Sequence, residues 1–100
     1  MKDLEAEQRL ARDKARREIE KFTDEFVDYK KKFEAQFNQI QATIQKLGIA
    51  DDEMVCRESR QQLEWHNERV KAAKKELAKL RNDYEVLLKN QDADLKKQDN

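Results

Sequence analysis

Strong apolar residues in the first half of the chain fall at Ile19, Phe22, Phe26, Tyr29, Phe33, Phe37, Ile40, Ile44 and Leu47. Their spacings alternate three and four, with one extra four between Phe33 and Phe37. This is the seam of an amphipathic helix in a coiled coil, and the extra four-residue step is a stutter that locally relaxes a left-handed supercoil. Upstream the stripe weakens to Ala15, Ala11 and Leu4. That charge-rich portion is expected to fray unless something else holds it.

A second stripe runs Cys56, Ser59, Leu63, His66, Val70, Ala73, Leu77, Leu80, Tyr84 and Leu87, again alternating three and four. The next seam positions are Gln91 and Asp94, so the apolar seam ends there and the tail QDADLKKQDN reads as a solvated end. The two stripes are out of phase. Extending the first past Leu47 places Asp51, Met54, Glu58, Gln61 and Trp65 in the seam, and most of these are polar.

The phase breaks at Gly48, the only glycine in a chain without proline. Gly48 suits the left-handed residue just past a helix end, with Ile49 making the apolar contact that accompanies it. Asp51 can cap a new helix, with Asp52 and Glu53 at its positive end. The expected fold is an all-α, antiparallel two-helix coiled-coil hairpin, open to self-association. Its helices cover residues 3–47 and 52–95, and its turn spans Gly48–Asp51. The alternative is one continuous helix in a parallel or antiparallel dimeric coiled coil. In the hairpin, residues whose numbers sum to 103 should meet: Leu47 with Cys56, Ile40 with Leu63, Phe37 with His66, Phe33 with Val70.

Composition agrees with this class. Charged residues make up 44% and apolar ones 37%, with 22 basic residues balancing 22 acidic ones. That balance and the periodic apolar residues argue against disorder, which high charge alone would suggest. Acid-first helical pairs Glu5–Arg9, Asp28–Lys32, Glu85–Lys89 and Asp92–Lys96 add about 0.2–0.5 kcal/mol each. No apolar run reaches the roughly 18 residues of a membrane span, and the first residues lack a signal peptide's apolar region. One cysteine, Cys56, forms no internal disulfide, which points to a reduced intracellular protein of the cytoplasm. A two-helix seam is a thin core, so the sequence reads as one coiled-coil unit excerpted from a longer coiled-coil protein.

Candidate chemistry is sparse. One Cys and one His ten positions apart make no metal site or nucleophilic constellation, and there is no glycine-rich phosphate loop. The expectation is no enzyme, no cofactor and no small-molecule ligand. His66 falls in the seam as a register-setting polar residue, or as a proton-sensitive one. Cys56 reads as a small, half-buried seam residue. Trp65 points away from the partner helix. It is either a binding anchor or a ring lying under Arg69, four residues on. With the turn residues Met54 and Val55, these form a candidate partner-binding set. A basic stretch holds Arg69, Lys71, Lys74, Lys75, Lys79 and Arg81 against one acidic residue, Glu76. It is a candidate polyanion patch, with Lys30–Lys32 facing it. At zero net charge an ordinary solvated face is the better reading, so nucleic acid is not an expected partner.

The expected function is that of a structural or scaffold segment. It would mediate protein–protein interaction or oligomerisation, homodimerisation included, as in cytoskeletal, centrosomal, ciliary or trafficking proteins. A hairpin binding module presenting Trp65 and the tip is the alternative, and weak polyanion binding is the third.

Overall fold

The computed structural model describes residues 2–98. Two α-helices, α1 (Lys2–Lys46) and α2 (Glu53–Gln98), fold back on each other as an all-α hairpin. No strand occurs among the described residues. Contacts divide the chain into two units. One is Glu25–Lys74 and contains the turn; the other joins the segment ending at Asp24 to the segment starting at Lys75.

The turn forms where the glycine predicts it. Gly48 adopts φ +70°, in the left-handed region. Its N–H donates to the Gln45 carbonyl at 3.1 Å, and the Ile49 N–H donates to the Ile44 carbonyl at 3.2 Å. This pair of bonds is a Schellman motif, which satisfies carbonyls that the end of α1 would otherwise leave free. The cap of α2 is Asp52 rather than Asp51. Oδ1 of Asp52 accepts from the Met54 N–H at 2.9 Å and the Val55 N–H at 3.2 Å. Asp52 also accepts the first helical bond, from Cys56 N–H to its carbonyl at 2.9 Å. The reason is that the Asp52 N–H donates to the Ile49 carbonyl, which stretches the turn by one residue. Asp52→Ala is expected to cost about 1 kcal/mol, the usual value of an N-cap carboxylate. Urea denaturation at fixed protein concentration measures it, with Asp51→Ala as the near-neutral control.

The two helices pair in a register one turn away from the expected one. In the turn-containing unit, His66 stacks on Phe33 with ring centroids 3.7 Å apart, and Gln41 Nε2 donates to Ser59 Oγ at 3.0 Å. In the other unit, Gln91 Nε2 donates to the Gln8 carbonyl at 2.9 Å. These partners' numbers sum to 99 or 100, so the expected sum of 103 is corrected. His66 therefore meets Phe33 and not Phe37.

The correction changes which side chains fill the seam beside the turn. Leu47 and Cys56, expected to face each other, are both exposed. Leu47 is carried outward as the residue entering the turn. The Cys56 thiol donates to the Ala50 carbonyl at 3.1 Å and so belongs to the turn. Val55 takes a half-buried place instead. Ile40 and Leu63, both expected in the seam, remain exposed, because Gln41 and Ser59 occupy the seam positions between the arms. The remaining seam residues hold their expected places. Phe22, Phe26, Phe33, Phe37 and Ile44 are half-buried on α1, as are Val70, Leu77, Leu80 and Tyr84 on α2.

In the unit holding both ends, the helices extend further than the weak stripe suggests. Both α1 from Lys2 and α2 to Gln98 are helical. A reciprocal clamp of two buried glutamines replaces the missing apolar pair: Gln91 donates to the Gln8 carbonyl, and Gln8 Nε2 reaches the Gln91 carbonyl at 3.5 Å. Each amide reaches the second lone pair of a helical carbonyl on the opposite arm. Of the expected ion pairs, Asp28–Lys32 and Asp92–Lys96 form at 3.0 and 3.4 Å, both well exposed. Screened pairs of this kind add little.

Candidate interaction surface

His66 is the one buried side chain in the middle of the turn-containing unit, at 7% exposure. Its ring lies parallel to Phe33, 4° from coplanar, with Tyr29 5.5 Å away. Phe37 extends the stack from Phe33 at 5.7 Å. Nδ1 of His66 is buried without a hydrogen-bond partner. The residue acts as a flat wedge between the arms, and its placement in the seam follows the expected stripe.

Trp65, the residue before it, is 59% exposed. The Arg69 guanidinium lies 3.9 Å from the centre of its ring. The ring lies under Arg69, as the second sequence reading expects, and the rest of it is open to solvent. Stacking keeps the indole in one orientation, which lowers the entropy a partner would have to remove on binding.

The corrected register shows what surrounds Trp65. Two antiparallel helices of one hand are related by a two-fold axis normal to the layer they form. Residues that precede a seam position by one therefore share a face on both helices. In the turn-containing unit this places Ile40 (before Gln41), Met54 (before Val55) and Trp65 (before His66) on one side. Leu47, seven residues after Ile40, joins them. Ile40 is 45% exposed, Leu47 66% and Met54 70%. Thr43, before Ile44, lies on the same side, and its hydroxyl donates to the Gln39 carbonyl at 3.0 Å, so it makes no demand on a partner. Residues one after the seam positions make the opposite face, where Val27, Ala42 and Cys56 stand among Glu34, Asn38, Gln45, Arg60, Asn67 and Lys71. Both faces are mixed: by the same rule the Trp65 side also carries Glu25, Asp28, Lys32, Gln36 and Glu58. The candidate partner residues Trp65, Arg69 and Met54 lie on one side of the seam, while Val55 is half-buried. Ile40 and Leu47 are the members that sequence reasoning missed, because it assigned both to the seam.

The polyanion candidates stand differently. At the observed register the basic stretch no longer lies level with Lys31 and Lys32. Lys71 and Lys74 are level with Glu25 and Asp28 in one unit; Lys75, Lys79 and Arg81 are level with Glu18, Glu20 and Asp24 in the other. Ion pairs among the described residues stay within one helix, so these opposed charges neutralise the local field without bridging. A field so balanced gives little attraction for phosphate.

Among the described residues, no group of three or more His, Cys, Asp or Glu is placed to hold a metal ion. No helix among them is long and apolar enough to cross a membrane. Comparison with protein-family models, with curated proteins and with solved structures brings out no match.

Proposed function

We propose that the chain is a structural coiled-coil segment that works by helix–helix association with another protein surface, a second copy of itself included. The observation that carries this reading is the open seam. Among the described residues no hydrophobic side chain is buried, although apolar residues line both helices at coiled-coil spacing. The chain exposes 8634 Å² at a mass of 12.0 kDa, against about 6000 Å² for a typical folded monomer of that mass. Beside the turn, Phe37, Ile44, Val55 and Leu63 line an open groove of about 460 Å³ between the arms. Apolar surface left this open is stabilised by a further helical layer, at about 25 cal/mol per Å² covered.

Light scattering over a concentration series from micromolar to millimolar tests the self-associating form. The expected result is a mass that rises above 12.0 kDa with concentration. A mass fixed at that value, with Trp65→Ala leaving stability and every binding signal unchanged, would remove the reading.

The hairpin binding module is the second reading, and exposed Trp65 held under Arg69 favours it. It differs from the first in the identity of the partner. The groove of the first reading is lined also by Gln45 and Arg60, on the side away from Trp65, so the two readings use different surfaces.

A further inference from the structure

We infer that Gly48 is a hinge, and that two copies of the chain open at it and exchange arms, each α1 pairing with the α2 of the other copy. The inference rests on the association reading above and specifies its partner and its route. Its basis is the phase of the observed seam. The last half-buried residue of α1 is Ile44, and the first of α2 is Val55. They stand eleven residues apart, close to three turns of an uninterrupted helix. Gln41 and Ser59, hydrogen-bonded across the arms, stand eighteen apart, about five turns. Through Phe37, Gln41, Ile44, Gly48, Asp51 and Val55 the steps of four and three alternate without a break. The strong apolar residues change phase at Gly48, but the half-buried ones do not. A helix running straight through Gly48 would therefore carry both halves of the seam on one face.

The turn holds little that the open form would lose. Gly48 is the only residue with positive φ among those described, and the chain has no proline. The N–H groups of Gly48, Ile49 and Asp52 bond carbonyls at the turn, and in a continuous helix each would bond the carbonyl four residues back. No hydrophobic side chain among the described residues is buried, so separating the arms breaks open no closed core. The contacts between arms then recur between copies. Two opened chains, antiparallel about a two-fold axis between Ile49 and Ala50, match residues whose numbers sum to 99. Phe33 of one copy again meets His66 of the other, and Gln8 again meets Gln91. Exchange of an identical element in this way makes a symmetric dimer at low cost, with each contact formed twice. Two terms favour the closed hairpin. Its arms are tethered at an effective concentration on the order of millimolar, and in the open pair Asp51 and Asp52 of both copies gather at the crossing. Exchange should therefore appear at millimolar chain and not at micromolar.

Spin labels on Asn38→Cys and Arg60→Cys, in a Cys56→Ser background, test it. The labelled full-length chain is unfolded in urea with an excess of unlabelled chain, and the mixture is refolded. Dilution of this kind removes distances between copies and keeps those within one chain. At micromolar concentration the short distance of the hairpin should remain. At millimolar concentration sedimentation equilibrium should show a doubled mass. In step with it, the short distance should give way to one of about 33 Å, the helical rise over the 22 residues from Asn38 to Arg60. Gly48→Ala should move the midpoint of the exchange to at least about tenfold lower concentration, since alanine favours the straight helix in both copies. If the mass doubles while the short distance survives dilution, the dimer is built of closed hairpins. The inference is then wrong and the association reading stands. If Gly48→Ala leaves the midpoint where it was, Gly48 is not the hinge and the inference falls too. A mass fixed at 12.0 kDa at every concentration removes the inference and the self-associating form together.

Discussion

Phe33→Ala should lower stability by about 2 kcal/mol, less than the ~3–5 kcal/mol for truncating a fully buried phenylalanine, because Phe33 is only half-buried. The ring does two jobs. It fills the seam, and it supplies the flat surface on which His66 rests at 3.7 Å. Loss of the ring lets water reach His66 Nδ1, which now lacks a partner, and this gain offsets part of the lost burial. The neighbouring substitution should act in the opposite direction. His66→Leu keeps the volume of the wedge and removes a buried nitrogen without a partner. Leaving such a group unsatisfied costs about 1–3 kcal/mol, and the lost ring stack is worth about 0.5–1.5, so the net is a gain of about 1 kcal/mol. Urea midpoints for the two variants, at one protein concentration and a pH well above the histidine range, give the comparison. An equal loss for both would mean that an unseen acceptor serves the imidazole, and that the seam depends on His66 as a polar contact.

The hairpin was legible because three independent signals coincide at one place: the stripe changes phase, the only glycine stands there, and acidic capping residues follow. The register was not legible, and the cause is geometric. Sliding one helix past the other by one turn moves a heptad stripe almost onto itself, so spacing alone scarcely separates a sum of 103 from a sum of 99. What decides between them is local chemistry at the turn. The Asp52 cap, the bond from the Cys56 thiol to Ala50 and the outward path of Leu47 fix where the arms first meet. Gln41 as a seam residue, and the bond that Gln91 makes from its expected seam position, were not legible for a related reason. Hydropathy treats glutamine as a solvent residue, whereas here its amide ties one arm to the other, to Ser59 or to the Gln8 carbonyl. That single slip in register counts Ile40 and Leu47 as seam residues and leaves Trp65 looking isolated. With the register corrected, Trp65 has neighbours.

The sharpest test of the turn itself is a pair of substitutions at Gly48. Gly48→Ala should cost about 1 kcal/mol, since a side chain there pays only for the left-handed conformation. A Cβ built on Gly48 meets no atom within 4 Å, so no steric term is added. Gly48→Pro should cost at least about 3 kcal/mol, because the proline ring fixes φ near −65° and removes the N–H that bonds the Gln45 carbonyl. It also pushes Leu47 out of the helical region, which unwinds the last turn of α1. Spin labels at Asn38 and Arg60, in a Cys56→Ser background, report directly on whether the arms still meet beside the turn. The alanine chain should keep the short distance of the parent, and the proline chain should lose it. If the alanine chain shows a long distance and a doubled mass instead, the left-handed glycine is all that holds the chain bent, and a helix-compatible residue straightens it into a dimeric rod. If the proline chain keeps the short distance, the pairing of Phe33 with His66 and of Gln41 with Ser59 is strong enough to impose the bend without the turn. The seam would then be the primary determinant of the fold and Gly48 only its most economical closure.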